Sequence, residues 1–338
     1  MNKKRWIALS LALGLFVVSV IASFATNVLF SGKGEGISSM FGQGSDDLYA
    51  ETVLEEGDPT KKVVVLEVNG VIQDTDAQAS PFSGQSGYNH RVFLETLDEL
   101  KEDSSVGGVI IRVNSPGGGV VESSEIHKKI AEFKQKTKKP VYISMGTMAA
   151  SGGYYISTAA DKIYAIPDTL TGSLGVIMQS INYSELAGRL GVEDVTIKSG
   201  PYKDIMSPGR DMTKEEAAIM QNLVNNAYDG FVDVIKEGRN LSEDEVRKIA
   251  DGRIYDGRQA KELKLVDELG FFEDTIKAIK KDHQLKGAQV VQYNQAFSFP
   301  SWLSMSMTQA FSGRSELSGV LNLLGKPNSP RLMYLYME

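Results

Sequence analysis

Cysteine is absent from the 338 residues, which excludes a disulfide frame, a thiolate nucleophile and any cysteine-based metal site. Histidine is scarce: His90, His127 and His283 are the three, so a serine–histidine–aspartate triad has few possible members. Excess positive charge is missing too. The net charge is −7, and taking away the three positive charges of Lys3, Lys4 and Arg5 leaves −10 for the remainder, which speaks against a nucleic-acid surface. The length suits one large domain or two small ones with a real core.

What is present begins with an uncharged run from Trp6 to Phe30, long enough to cross a bilayer as a helix. The basic flank Lys3-Lys4-Arg5 would keep the N-terminus in the cytoplasm and send the body outward. Ser23-Phe24-Ala25 would pass as a signal-peptidase site, but the apolar run continues past it, which favours an uncleaved anchor over residues 1–30. Residues 31–60 are rich in Gly, Ser and acidic side chains and read as a flexible spacer.

From Lys61 the pattern is that of a folded body. Lys61–Gln73 is a β-run broken at Asn69-Gly70, which predicts two short strands meeting there, and 74–89 reads as a loop. A helical stripe (Val92, Leu94, Leu97, Leu100) precedes the buried strand Gly107–Val113, and a helix through about Lys136 follows. Val141–Ser144, Lys162–Ile166, Ser173–Met178 and Val195–Lys198 are expected strands, with helices after Ser151 and over Tyr183–Leu190. Thr213-x-x-Glu216 and Ser242-x-x-Glu245 are capping boxes, and Asp256 caps a further helix. The stripe Met220, Leu223/Val224, Ala227/Tyr228, Phe231, Ile235 behind the first box suits core or a partner surface. Repeated strand–helix units with buried strands define an α/β domain with right-handed crossovers over 61–295. Residues 296–338 are less regular and end in the apolar tail Arg331–Glu338, which suits docking on the domain surface or, being substrate-like, occupation of a neighbouring cleft.

Two stretches can carry chemistry. Ser151 stands where the run from Pro140 changes from strand to helix chemistry, a position suited to a nucleophile and equally to an ordinary helix cap. Asn114-Ser115-Pro116-Gly117-Gly118-Gly119 closes a buried strand; it lacks the Gly-Lys-Ser/Thr of a phosphate loop and the dinucleotide fingerprint, and leaves a tight turn or an oxyanion hole. The histidines are explained by surface placement, so a base for Ser151 would have to be a lysine. Such a lysine needs its pKa lowered by about 3 units, or roughly 4 kcal/mol, which apolar burial can supply. Lys162, Lys198 and Lys203 are the candidates soon after Ser151, with Lys203 among aromatic and apolar neighbours.

Five ordered motifs together resemble the SppA-type signal peptide peptidases. They are Asn114–Gly119, Ala149–Tyr155 (AASGGYY), Thr171–Val176 (TGSLGV), Lys198-Ser199-Gly200 with Lys203, and Gly252–Gly257 (GRIYDG) running on to Leu265–Glu268. The resemblance implies a crotonase/Clp-protease-like fold behind one N-terminal transmembrane helix. It also implies a serine–lysine dyad with Ser151 as nucleophile and Lys203 as base. Ser173 would orient the lysine, and the backbone N–H groups of Gly118 and Gly152 would form the oxyanion hole. It further implies a homo-oligomer with sites shared between subunits, apolar signal-peptide remnants as substrates, an extracytoplasmic catalytic domain, and no metal or nucleotide. The rivals are an acyl-CoA hydratase or isomerase on the same fold and a membrane-tethered scaffold without activity.

Overall fold

The computed structural model describes residues 49–74, 88–295 and 331–336, with Gly14 besides. Trp6–Phe30, expected to form the membrane anchor, otherwise lies outside the described residues, as do 75–87 and 296–330. No described helix is long and apolar enough to cross a membrane. The chain divides into two units, 1–47 and 48–338, and the sheet with its helices belongs to the second.

In chain order its elements are β1 (Tyr49–Glu55), β2 (Asp58–Asn69), α1 (His90–Glu102), β3 (Val106–Ser115), β4 (Gly117–Gly119), α2 (Val120–Thr137), β5 (Val141–Ala150) and α3 (Gly152–Ser157). Then come β6 (Lys162–Ala165), β7 (Leu170–Gly172), α4 (Ser184–Arg189), α5 (Lys214–Arg239), α6 (Glu243–Ile249), β8 (Ile254–Tyr255) and α7 (Gly257–Glu262). β9 (Glu268–Leu269), α8 (Phe272–Asp282), β10 (Ala288–Gln295) and β11 (Met333–Leu335) complete the described set. The main sheet runs β1-β10-β2-β3-β5-β6-β9, parallel from β10 to β9, with β1 an antiparallel edge. Strand alternation divides the core between two faces. Val64, Leu66, Val109, Ile111, Val113, Ile143 and Met145 meet α1, α2, α3 and the C-terminal half of α5 on one side. Val63, Val65, Ile110 and Tyr142 meet Ile276 and Ile279 of α8 on the other. This is the α/β architecture expected.

β5 changes partners part-way, which aims its end. Tyr142–Met145 pair with β6, whereas Met148–Ala150 pair with β7. The change falls at Gly146, whose carbonyl accepts a 2.7 Å hydrogen bond from Thr169 Oγ1 and beside which a Cβ would stand 3.2 Å from Asn114.

Five local expectations are corrected. Residues 49–60, expected as spacer, fold as β1 and the start of β2. Asn69-Gly70 does turn, with Gly70 at φ +87°, but the turn leads to a single bridge from Ile72 to Gly118 rather than to a second strand. Ser173–Met178 is not a strand: Gly172 and Ser173 take φ of +86° and +50° in succession, which ends β7, and Ile177 alone bridges onward, to Met333. Val195–Lys198 pairs with no strand among the described residues, and Ile197 is 97% exposed. The α5 stripe splits, with Phe231, Val232 and Ile235 in the core and Leu223 and its neighbours nearer the head of the helix left outside.

Candidate active site

Ser151 links β5 to α3 and carries backbone angles φ 53°, ψ −115°, a conformation L-residues avoid at a cost of about 1–3 kcal/mol. Two 2.8 Å bonds hold it there, from its N–H to the Gly172 carbonyl and from the Tyr155 N–H to its own carbonyl. Its side chain makes no cap hydrogen bond, so the helix-cap reading is set aside. Ser151 Oγ is fully buried and has no hydrogen-bond partner among the described residues, a state it shares with Ser123 Oγ. Buried hydroxyls are normally paired, so a strained and unpaired one points to chemistry rather than to packing.

The glycine run lies directly alongside. Gly117 N–H donates to Ser115 Oγ at 3.0 Å, and Ile72 locks β4 through its N–H to Gly117 O and through its carbonyl to Gly119 N–H, both 2.8 Å. Neither Gly118 nor Gly152 tolerates a side chain. A Cβ on Gly118 would meet Ile72 O at 1.8 Å, and one on Gly152 would meet Ser123 Oγ at 2.6 Å and Gly118 N at 3.1 Å. These two glycines, expected as oxyanion donors, are thus packed backbone against backbone beside Ser151.

A segment of the chain's own C-terminus occupies this strand. β11 pairs antiparallel with β4, matching Tyr334 to Gly118. Bonds from Tyr336 N–H to Pro116 O (2.9 Å) and from Val120 N–H to Leu332 O (3.4 Å) flank that pair at two-residue spacing. By the alternation of antiparallel ladders, Gly118 and Tyr334 exchange both of their bonds. Tyr334 O and Gly152 N stand 2.0 and 2.5 Å from the point where a Cβ on Gly117 would be, so this carbonyl packs against the glycine run beside Gly152. The Tyr334 ring packs on Tyr155 (4.9 Å) and Phe231 (4.6 Å), and its hydroxyl donates to Ala227 O at 2.9 Å. On the other edge Met333 exchanges 3.0 Å bonds with Ile177. Met333–Leu335 of the tail is thus docked on its own domain, along the edge of β4.

The remaining candidates are not all gathered at this point. Ser173 follows Gly172 at φ 50°, its N–H bonded to Arg253 O at 2.8 Å. Lys203 is exposed on a series of turns, and among the described residues it forms no ion pair and no side-chain hydrogen bond to Ser151 or Ser173. Lys198 pairs with Asp204 (2.7 Å) and Lys162 with Asp282 (2.6 Å), which commits both rival lysines. His283 is exposed as expected, whereas the other two histidines are not free at the surface. His90 is 3% exposed, with Nδ1 and Nε2 each 2.7 Å from Tyr88 Oη and Glu125 Oε2. His127 packs edge-on against Tyr155, and burial lowers its pKa to about 4. Among the described residues none of the three bonds to Ser151. Sequence reading missed Ile72 and Ser123, which belong to no motif, and the pocket that Tyr155, the last residue of AASGGYY, forms with Phe231 of the α5 stripe. Among the described residues no cluster could hold a metal ion.

A strained buried serine beside a glycine strand that takes up an extended peptide is the arrangement of a serine peptidase. Comparison with known proteins gives the class a family. Residues 133–286 match the model of peptidase family S49. The chain is 44% identical to a protein of Enterococcus faecium provisionally named signal peptide peptidase SppA, over 99% of both chains. It is 32% identical to protease 4 of Haemophilus influenzae over 89% of this chain and 52% of that one. A ClpP1 mutant from Listeria monocytogenes aligns with a TM-score of 0.40 at 19% identity, over 64% of this chain and 95% of that chain. The chain belongs to peptidase family S49 and is a serine protease of the SppA and protease 4 kind.

Proposed function

We propose that the protein is a membrane-anchored endopeptidase that cuts apolar signal-peptide remnants, with Ser151 as nucleophile and Lys203 as general base. Ser173 orients the lysine, and the N–H groups of Gly118 and Gly152 hold the oxyanion. The observation that carries this reading is β11 on β4. An extended apolar segment adds to the glycine strand, buries an aromatic side chain against Tyr155 and Phe231, and brings its carbonyl to Gly118 beside Ser151. A substrate peptide taking that ladder would present its scissile carbonyl in the same way. Main-chain bonds give affinity there and the aromatic pocket gives preference for apolar side chains.

Lys203 completes such a site from a second copy of the chain. It lies beside an apolar surface that one copy leaves uncovered. α4 has no buried residue, and Ile181, Leu186, Leu190, Val192 and Val195 are all exposed, as are Ile219 and Leu223 of α5. A contiguous surface of that kind is what a homo-oligomer buries. The Trp6–Phe30 run would tether the assembly beside membrane-held substrates, with the catalytic domain on the extracytoplasmic side.

Full-length protein in detergent, given an apolar fluorogenic peptide, tests the reading. Ser151→Ala and Lys203→Ala should each abolish cleavage, and mixing the two variants should restore part of it. Appreciable activity in either variant removes the dyad. Failure of the mixture to recover, with both variants oligomeric, confines each site to one chain.

A further inference from the structure

The turns that carry Lys203 hold no regular element, yet they are fixed to the head of α5 by one arginine. Glu216, the third residue of α5, is 2% exposed and accepts the Thr213 N–H at 2.9 Å in the helix capping box. Arg210 meets it with two nitrogens, Nη1 to Oε2 at 2.8 Å and Nη2 to Oε1 at 2.5 Å. The same guanidinium grips Asp204 with two more bonds, Nε to Oδ2 at 2.8 Å and Nη2 to Oδ1 at 2.7 Å, and reaches the Asp204 carbonyl at 3.3 Å. Asp204 is the residue after Lys203. Paired forks of this kind fix direction as well as distance, which a lysine in place of Arg210 could not do.

The clamp also commits a charge. The charged groups facing these turns are Lys198 and Asp204 on the turns themselves, Asp194 against Gly209, Arg210 and Asp211 on the loop that follows, and Glu216 at the head of α5. Asp204 is held by Arg210 and by Lys198 at 2.7 Å, and these bonds keep its carboxyl ionised well below the usual carboxylate range. A carboxylate so engaged is withheld from the neighbouring ammonium. Released, it would favour protonated Lys203, the form that cannot accept a proton.

We propose that Arg210 is a positioning residue for the base. It ties the Lys203 turn to α5 and sequesters Asp204, so that Lys203 can work as a neutral amine. This rests on Lys203 being the base, which the Lys203→Ala variant tests separately. The experiment is the pH profile of kcat/KM for the full-length protein with an apolar fluorogenic peptide, for Arg210→Ala, Arg210→Lys and Arg210→Ala combined with Asp204→Asn. Arg210→Ala should lower kcat about 100-fold through misplacement of the base. It should also move the acid limb of the profile up by about one pH unit, since a freed carboxylate raises the pKa of a nearby amine. Adding Asp204→Asn should return the limb to its original pH while kcat stays low. Arg210→Lys, which keeps the charge without the fork, should keep the limb in place and still lose kcat. An acid limb at its original pH in Arg210→Ala, with Lys203→Ala inactive, overturns the inference and leaves the dyad standing. A limb that stays displaced after Asp204→Asn overturns it as well. Should Arg210→Ala alone fail to fold, the limb positions in Arg210→Lys and in the double variant decide the question in the same way.

Discussion

Replacing Gly118 by alanine confronts the site with a side chain it has no room for. The new Cβ would stand 1.8 Å from Ile72 O, and 2.6 and 2.7 Å from the Ile72 carbonyl carbon and nitrogen. All three atoms are backbone, pinned by the 2.8 Å bonds to Gly117 and Gly119, so no rotamer change relieves the contact. Gly118 is not among the glycines with positive φ, so the difficulty is one of space alone. β4 would have to retreat by about 1.5 Å to reach ordinary contact, and a displacement of that size at a reacting centre lowers rates about 100-fold. Loss of an oxyanion donor by itself costs about 3–4 kcal/mol in the barrier, or about 100- to 1,000-fold in kcat. The two Ile72 bonds, at about 1 kcal/mol each, set the accompanying loss of stability near 2 kcal/mol. Gly230 on α5, with nothing within 4 Å of an added Cβ, is the control. Alanine there should be neutral or stabilise by about 0.5–1 kcal/mol. Steady-state hydrolysis of an apolar peptide and thermal unfolding, run side by side on both variants, read these effects. A Gly118→Ala enzyme with kcat within about threefold of the unsubstituted protein and an unchanged melting temperature would refute the reasoning.

Ser151→Gly removes a strained φ and a buried unpaired hydroxyl together, and should raise stability by about 1–3 kcal/mol while ending activity. Urea titration reads the first effect, and a destabilised Ser151→Gly would mean that the backbone there is not strained. His127, whose pKa burial lowers to about 4, stays neutral in the folded state where the unfolded chain already binds a proton. Stability should therefore fall as pH drops from about 6.5 towards 4, and His127→Phe should flatten that part of the curve, as followed by melting temperature against pH. Truncation after Pro330 removes β11 and vacates the ladder on β4. KM for a short peptide should drop with kcat unchanged, and identical kinetics would show that the tail does not compete with substrate.

The sequence spoke clearly wherever one copy of the chain supplies both partners of a contact. Gly107–Val113 reads as a buried strand because its residues are covered on both faces, and β3 lies there between β2 and β5. The capping boxes at Thr213, Ser242 and Asp256 are local chemistry and appear in the structure as such. Ile72 was illegible because its role is played by its backbone, through a one-residue bridge between segments 46 positions apart. The Tyr155–Phe231–Tyr334 cluster was illegible for the opposite reason. Each ring looks like ordinary core, and only the ladder to β4 shows that one of them belongs to an incoming strand.

The misread stretches share a cause that bears on the site. Val195–Lys198 has the β-branched alternation of a strand and lies in the open, α4 carries apolar residues and buries none, and the first turns of α5 expose the apolar stripe that its last turns bury. A pattern written for burial and left exposed among the described residues is the surface that the proposed homo-oligomer would cover. Lys203 itself is exposed beside these stretches, while its turn is held by Arg210 and Glu216 and by bonds from Ser180 Oγ to Met206 O and from Tyr183 N–H to Pro208 O. Rigidity in a segment with no core of its own is useful when the segment must meet another surface in a fixed pose. On the proposed function the apolar face and the clamp would serve one end: the first would bring the turn against a neighbour, and the second would set where its lysine stands on arrival.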